Sequence, residues 1–338
     1  MLRYIVRRTV SAVVVVLGVV ALTFLIARVV PGNPAASWIG PRATPAEIAV
    51  VSRQLGLNRP VPVQIWNYFR GIAGGNWGIS IHTHRSVLSD IVSRLPASLE
   101  LVISALIIAV VVGVALGLIA ARWQGKTADH VIKALTVIAA SMPVFWLALL
   151  MQWIFFQKLH WLPVAGEYSL SLTYTHPLHS ITGIPVIDAL LTGNWPVFGS
   201  AITHLILPAF VVSTYAMGVI ARMVRASVLD VTSETHAQML RTLGFSERSI
   251  INRFALRLAW SPVAQVVALV FAYSLVNTFL VEAVYNWPGL GSYATDSISS
   301  LDTPAIVGLT LFIAVLYVLL NLAVDIFQAV LDPRIRLT

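Results

Sequence analysis

Six long apolar stretches without a charged residue constrain the fold of this chain more than any other feature. Each reaches the roughly 18 to 20 residues that a helix needs to cross about 30 Å of hydrocarbon. None shows the alternation of polar and apolar residues that barrel strands require. The stretches cover residues 9–27, 101–121, 134–156, 201–221, 258–281 and 303–324. The sequence therefore predicts an all-α integral membrane protein with six transmembrane helices.

The placement of basic residues predicts how these helices are oriented. Charged residues make up 11% of the 338 positions, against about 25% in soluble domains. Lysine and arginine concentrate before the first stretch, between the second and third, between the fourth and fifth, and after the sixth. The positive-inside rule then places both termini in the cytoplasm. We interpret the net charge of +8 as a signal of topology and not of nucleic-acid affinity.

The connection between the first two helices is long enough to fold by itself. Thr44 and Glu47 form a capping-box pattern, and Gly56 stands where that helix should end. A second helix is expected over residues 61–70, ending at Gly71. We predict three segments: residues 1–30 with the first transmembrane helix, a small helical extracytoplasmic subdomain over 31–95, and a core over 96–338 with helices two to six. The subdomain is either a cap over the helix ends or a dock for an extracytoplasmic partner.

A polar and basic segment, residues 233–262, lies between the fourth and fifth stretches. Its pattern predicts a short helix with Ser233 as N-cap, a left-handed turn at Gly244, and a second helix capped by Ser246. In the first helix the polar side is expected to carry Glu234, Thr235, Gln238, Arg241 and Thr242, and the apolar side His236, Ala237, Met239, Leu240 and Leu243. The apolar side of the second helix is expected to carry Ile250, Ile251, Phe254 and Leu258. The unit is thus helix, glycine turn, helix.

Two features of the apolar stretches bear on packing. Gly113 and Gly117 have the spacing that lets helices approach closely in lipid, and we predict internal packing there. Pro143 lies inside the third stretch and predicts a kink with freed carbonyls, which either lines a pathway or only serves packing. Trp287 follows the fifth stretch in a turn that we place at the outer membrane interface. Glu100 and Glu282 lie at helix ends, where we expect structural partners such as a nearby arginine.

The sequence contains no convincing pattern for a catalytic, nucleotide or metal site. Gly125 to Thr127 resembles the end of a phosphate loop, but Ala120 occupies the position of the first glycine and an apolar helix precedes it. His176 and His179 lack a third ligand at fixed spacing. His204 stands alone inside a span and is expected to pack with a hydrogen bond. We therefore predict no catalytic residue, no cofactor and no metal site in this chain.

Several motifs in order resemble one transporter family. They are Met1 to Tyr4 with Arg7 and Arg8, and residues 31–34, 55–60, 94–100, 282–291 and 321–336. Together with the 233–262 segment, these are similar to the dipeptide, oligopeptide and nickel permeases of ABC importers, specifically the first permease subunit. The segment resembles the loop that docks into the ATP-binding subunit. It departs from that pattern before the glycine: the small residues usual there are replaced by Gln238, Met239, Leu240, Thr242 and Leu243.

The resemblance implies a type I importer subunit in a prokaryotic inner membrane, contacting lipid and binding no nucleic acid. Its expected partners are a second homologous permease, two cytoplasmic ATPases that bind ATP and Mg²⁺, and an extracytoplasmic solute-binding protein. The coupling loop would span residues 230–257 within the 233–262 segment. Its coupling residues would be Glu234, Thr235, Gln238, Arg241, Gly244, Phe245, Glu247 and Arg248. Pathway candidates on helices three to five are Met142, Pro143, Tyr215, Met217 and Asn277.

Two other interpretations stay open at this point. An ion-coupled secondary transporter would need paired charges near the middle of the membrane, which the six stretches lack. The basic helix of the 233–262 segment could also lie on lipid headgroups without any protein partner. A DNA-binding helix-turn-helix is disfavoured because both ends of the segment run directly into membrane spans.

Overall fold

The computed structural model describes residues 14–25, 34–40, 42–54 and 56–331. Within these ranges it contains helices, turns and one isolated bridge between Ile79 and Ser86, and no strand. The helices are α1 (Val14–Leu25), α2 (Pro34–Ile39), α3 (Pro45–Gln54), α4 (Val61–Ala73), α5 (Val87–Arg122), α6 (Thr127–Ser141), α7 (Val144–Met151), α8 (Leu170–Thr175), α9 (Pro185–Thr192), α10 (Trp195–Ser233), α11 (Thr235–Thr242), α12 (Glu247–Ser249), α13 (Leu256–Val284), α14 (Leu290–Ser299) and α15 (Thr303–Leu331). Two π-helical turns follow α7 and α12, at Gln152–Lys158 and Ile250–Ala255.

Length and apolarity identify the membrane-spanning elements among the described residues. Four segments are long and apolar enough to cross: Val87–Arg122, Trp195–Ser233, Glu247–Leu275 and Thr303–Val324. A fifth is the pair Thr127–Ser141 and Val144–Lys158, bent by 106° at its break. The described part of the first predicted span is the shorter helix α1, and the rest of that span lies outside the described residues. The predicted kink in the third span is therefore a sharp break.

The chain divides into two compact units, of which the first comprises residues up to 95 and 289–320. Its core joins Phe24 of α1 and Val307 of α15 to the apolar side of α4, including Ile65 and Phe69. The capping box before α3 is confirmed, because the Thr44 N–H donates to Glu47 Oε2 at 2.9 Å and the Glu47 N–H to Thr44 Oγ1 at 3.4 Å.

Helix α4 continues past the residue at which we expected it to end. It runs to Ala73, and Gly71 remains inside it. A Cβ on Gly71 would lie 3.2 Å from the carbonyl oxygen of Asn76, where the chain folds back on the helix. Gly71 therefore provides room for a returning turn, and Gly74 caps the helix instead.

The second unit comprises residues 96–288 and 321–336, with α10 as its central helix. Helix α10 packs against α13, α6, α9 and α7. It also meets α5 at very short range: a Cβ on Gly113 would lie 3.0 Å from Ile220, and one on Gly117 would lie 2.7 Å from the Ala221 carbonyl oxygen. The two glycines thus serve internal packing, as their spacing predicts.

Candidate coupling site

The 233–262 segment begins where α10 ends, one residue later than the sequence predicts. Ser233 is the last residue of α10, and its hydroxyl donates to the Asp230 carbonyl at 2.7 Å. Glu234, in extended conformation, is the N-cap of α11. The prediction of Ser233 as N-cap is wrong because α10 continues through this position and uses the serine hydroxyl within its own last turn.

Helix α11 ends in the glycine turn that the sequence predicts. Gly244 has φ +82°, and its N–H donates to the Arg241 carbonyl at 3.0 Å. The Phe245 N–H donates to the Leu240 carbonyl at 3.1 Å, which completes a Schellman motif. A Cβ on Gly244 would meet no atom within 4 Å. The left-handed backbone, and not crowding, therefore favours glycine here.

The buried side of α11 is narrower than its pattern predicts. Ala237 is 1% exposed and Leu240 is half-buried, whereas Met239 is 63% exposed and Leu243 is 62% exposed. Residues three or four apart are neighbours on a helix surface. Ala237 and Leu240 therefore share the covered face, and Met239 and Leu243 share an exposed face. Met239 and Leu243, which the pattern places on the same side as Ala237 and Leu240, are exposed while those two residues are covered. Together with the partly exposed Phe245, they form an apolar patch on the surface, which we call the α11 patch.

Arg241 connects the three elements that meet at the turn. Its guanidinium donates to Glu247 at the start of α12 through Nε at 2.6 Å and Nη2 at 3.3 Å. Its Nη1 donates to the Thr232 carbonyl in the last turn of α10 at 3.1 Å. The eight predicted coupling residues are all exposed. Arg241 and Glu247, however, are paired with each other across the turn.

The second helix begins as predicted, but a π-helical turn then changes which residues face the interior. Ser246 caps it by accepting from the Ser249 N–H at 3.3 Å, and Phe245 packs edge-on against Phe254 with ring centroids 5.5 Å apart. Ile250 and Ile251 are buried, but Leu258 is exposed. The π-helical turn adds a residue to the turn, so Ala255 and Ala259 take the buried positions. Leu258, which the pattern places on the apolar side, is exposed instead.

The pathway candidates lie at different places in the second unit. Met142 and Pro143 form the break between α6 and α7, and Met142 packs against the cluster around Ala148 and Leu205. Met217 packs against the separate cluster around Ile220. Tyr215 of α10 is exposed. Asn277 of α13 is also exposed, and its amide donates to the Tyr273 carbonyl one turn earlier, at 3.1 Å.

The tryptophan in the turn after α13 packs inside the protein. Trp287 is fully buried, and its indole N–H donates to the Ala97 carbonyl at 2.9 Å. Ser98 donates to Glu282 at 2.7 Å, and the Val186 N–H donates to Glu100 at 3.3 Å. A serine hydroxyl and a backbone N–H thus approach these two carboxylates.

A carboxylate in the loop before α8 is close to a second one. Glu167 is half-buried, and burial together with the nearby carboxylate of Glu100 raises the pKa of Glu167 to about 8. The loop is held by the Gly166 N–H, which donates to the Tyr285 carbonyl at 2.8 Å, and by the Ser169 N–H, which donates to Ser200. His204, the histidine inside a span, hydrogen-bonds the Ser200 carbonyl through Nδ1 at 2.7 Å, as expected.

Comparison with known proteins connects this geometry to a family. The family of binding-protein-dependent transport system inner membrane components matches residues 113–337, and the N-terminal part of such membrane components matches residues 1–102. The chain belongs to this family. It is therefore a membrane component of a transport system, and α10, the glycine turn and α13 all lie inside the matched region.

Relatives of this transport component cover its whole length. The dipeptide transport system permease protein DppB of Alkalihalophilus pseudofirmus is 37% identical over 99% of this chain and 100% of its own. The probable D,D-dipeptide transport system permease protein DdpB of Escherichia coli K12 is 36% identical over 97% and 96%. The glutathione transport system permease protein GsiC of Salmonella choleraesuis is 34% identical over 99% of both chains.

Residues suited to holding a metal do not gather in the part of this transport component that the structure describes. No three or more His, Asp or Glu side chains come together in the described ranges. In the loop that resembles a phosphate loop, the Gly125 N–H binds a carboxylate of the chain itself, because it donates to Asp129 Oδ2 at 2.9 Å. The contacts at this loop are thus made within the chain.

Proposed function

We propose that this chain is one of two permease subunits of an ATP-driven importer and forms half of the pathway for a short peptide. The observation that carries the proposal is similarity over the full length to permeases named for dipeptides, D,D-dipeptides and glutathione. All three names denote short peptides. The chain itself performs no covalent chemistry, and ATP and Mg²⁺ are bound by partner subunits.

Uptake by the reconstituted transporter tests the substrate class. The chain is co-expressed with a homologous second permease, the two ATPases and the solute-binding protein, and the complex is placed in vesicles with ATP inside or outside. We expect uptake of a labelled dipeptide that requires ATP on the cytoplasmic side and is competed by unlabelled dipeptide. Uptake that persists without ATP and collapses with an ionophore would instead support an ion-coupled carrier.

The exposed surface of α11 supports a docking role. The α11 patch lies beside the exposed polar residues Glu234, Thr235 and Gln238, and Arg248 follows the turn. Apolar side chains at the centre of a polar rim are typical of a specific protein interface. We infer that the ATPase receives α11 in a groove with an apolar floor.

The coupling segment is braced for transmitting a push. Arg241 links the end of α10, α11 and the start of α12, and the Schellman motif fixes the turn between them. We propose that closure of the two ATPases moves this unit as a rigid body and that helices α6 to α13 convert the movement into a change of access. The glycine acts as a fixed corner in this scheme.

Site-directed crosslinking tests the docking surface. The chain contains no cysteine, so single cysteines at Gln238 or Leu243 report only their own contacts. We expect crosslinks from both positions to the ATPase, and none from a matched cysteine at Tyr174, an exposed residue of α8. Labelling of these α11 positions by lipid alone would support a helix that lies on the membrane surface.

The remaining partners follow from the proposed topology. With both termini in the cytoplasm, the 31–95 subdomain faces the side from which the solute-binding protein delivers its ligand. Modification of single cysteines by a membrane-impermeant reagent in intact cells checks the orientation. We expect labelling at Trp66, which is exposed on α4, and protection at Leu243. The reverse pattern would invert the topology.

A further inference from the structure

Asp129, in the first turn of α6, is a fully buried carboxylate with four donors. Its oxygens accept from Arg225 Nε at 2.7 Å and Arg225 Nη2 at 2.9 Å, and from Lys133 Nζ at 3.0 Å and the Gly125 N–H at 2.9 Å. Asp129 is 0% exposed. Bidentate hydrogen bonds between an arginine and a carboxylate are both strong and geometrically specific.

The four donors have different roles in linking helices. Lys133 belongs to α6 itself, and Gly125 belongs to the loop just before it. Arg225 belongs to α10, eight residues before the end of that helix at Ser233. The Asp129–Arg225 pair is therefore the charged contact that joins the start of α6 to the part of α10 leading into α11.

The neighbouring contacts along the two helices are weaker. Two turns further along α6, the Thr136 carbonyl accepts from Arg222 Nη1 at 3.3 Å. At Gly218, a Cβ would lie 3.3 Å from the same carbonyl oxygen. These contacts keep the helices side by side, but neither has the bidentate charged geometry that resists sliding or rotation.

The far end of α6 is a sharp break in the helix. Met142 and Pro143 interrupt the helix, and α7 leaves at 106° to α6. Helix α7 packs on α13 and α10, and its Leu147 and Ala148 belong to the cluster around Ala97. A push at the start of α6 would therefore turn α6 about the break while α7 stays with its own core.

We propose that Asp129 is a positioning residue that makes α6 move together with α10 and α11, so that ATPase closure displaces the segment beside Met142 and Pro143. This proposal rests on the proposed function, because it takes the movement of α11 by the ATPase as its input. It assigns a transport role to a carboxylate outside the docking surface and outside the pathway.

Distance measurements between spin labels test the proposal in the complete reconstituted complex. The reporter pair joins cysteines at His130 of α6 and Ser233 at the end of α10, both exposed. A reference pair joins Ser233 and Tyr174 of α8. Double electron–electron resonance compares the nucleotide-free complex with one trapped by ATP. In the otherwise unchanged chain we expect the reference distance to change and the reporter distance to stay constant.

The test variant is Asp129→Asn, which keeps the size of the side chain and removes its charge. We expect the reference distance to change as before while the reporter distance now changes too, since α6 lags behind α10. Peptide uptake per ATP hydrolysed should fall about fivefold or more, the lower end of typical coupling between sites. If the Asp129→Asn complex does not assemble, Arg225→Lys, which removes the bidentate geometry, is measured with the same expectations.

The matched control is Lys133→Gln. It removes a charged donor from the same carboxylate but leaves the bond between helices intact. The reporter distance should therefore stay constant, as in the unchanged chain, and the coupling ratio should stay within about twofold of it.

Three results would overturn the proposal, and they differ in what else they affect. A constant reporter distance in Asp129→Asn shows that α6 follows α10 without Asp129, and leaves the proposed function standing. Equal uncoupling in Lys133→Gln shows a general effect of charge loss. A reference distance that does not respond to ATP in the unchanged chain removes the proposed ATPase coupling together with the role of Asp129.

Discussion

Two arginine–carboxylate pairs lie near the C-terminal end of α10, and they differ in exposure: one joins α6 to α10, and the other joins α11 to α12. Asp129 is fully buried against Arg225, whereas Glu247 is 60% exposed where it pairs with Arg241. Both arginines donate through Nε and a terminal nitrogen. The geometry is similar and the surroundings are opposite.

The difference in exposure predicts different roles for the two pairs: Asp129–Arg225 stabilises the fold, and Arg241–Glu247 sets the orientation of α11. Breaking a buried pair leaves an uncompensated charge in the interior, whereas an exposed pair is replaced by water. The buried pair should therefore control stability, and the exposed pair should control the orientation of α11 with little effect on stability. Five changes, from the largest expected effect to the smallest, test these two pairs and compare them with other contacts of the second unit.

Asp129→Ala should produce the largest loss, because the half-buried guanidinium of Arg225 loses the carboxylate that accepts two of its hydrogen bonds. We expect the free energy of unfolding to fall by about 3 to 5 kcal/mol, measured by thermal unfolding of the purified chain in detergent. Lys133→Ala serves as control and should have a much smaller effect. Equal losses in the two variants would contradict the central place of the pair between helices.

Gly117→Val tests the close packing of α5 against α10, which involves no charged residue. The added Cβ would lie 2.7 Å from both the Ala221 carbonyl oxygen and Val224 Cβ, so α5 and α10 must separate. Overpacking of this kind typically costs about 1 to 3 kcal/mol. Gly199→Ala, in α10 but with no atom within 4 Å, should be tolerated. A stable Gly117→Val chain would show that α5 and α10 can move apart freely.

Gly244→Val should have an intermediate effect through backbone strain alone. A side chain at φ +82° costs roughly 1 to 2 kcal/mol for an ordinary residue. Asn, which tolerates this conformation, should recover most of the loss at Gly244→Asn. Thermal unfolding and ATP-driven uptake are measured for both. Uptake at the full rate in Gly244→Val would argue against the turn as a fixed corner.

Arg241→Gln should leave stability almost unchanged, with a loss of about 0 to 1 kcal/mol. It should nevertheless alter docking, since α11 loses its bond to the Thr232 carbonyl as well as to Glu247. We expect weaker crosslinking from Leu243→Cys to the ATPase in this background. Glu247→Gln, which spares the bond to Thr232, should weaken it less.

Glu167 gives the smallest effect and depends on pH. Its pKa is raised to about 8 from the usual value for glutamate, so the folded chain holds a proton that the unfolded chain releases. The resulting stability is fully present below the unfolded pKa and is lost as pH rises through about 8. The melting temperature should fall between pH 6 and pH 9, and less so in Glu167→Gln. An identical pH profile in both chains would contradict the raised pKa.

Local signals predicted the parts of the coupling segment that depend on a few adjacent residues. The left-handed Gly244, the Ser246 cap and the Thr44–Glu47 capping box are all set within five residues of chain. The close approach at Gly117 was also predictable, because small residues four apart have few other uses in an apolar helix.

Contacts distant in sequence were the part that could not be predicted. The residues around Trp287 give no local signal that the Ala97 carbonyl accepts its indole N–H. The same neighbouring residues would be found around a tryptophan at a membrane interface. The π-helical turn at Ile250–Ala255 likewise has no marker in the sequence, and it alone moved Leu258 to the surface. Asp129 was overlooked because its partner is 96 residues away, although Lys133 at the i+4 position was a visible hint.

The π-helical turn between α12 and α13 also sets the rotation of a whole membrane helix. One additional residue in a helix turns everything beyond it by about 100° relative to an uninterrupted helix. Gain or loss of that single residue would therefore exchange the faces that α13 presents, Asn277 included, without altering its length or its hydrophobicity. Single-residue insertions and deletions near Ile250–Ala255 would thus change the direction in which Asn277 points while the turn at Gly244 stays intact.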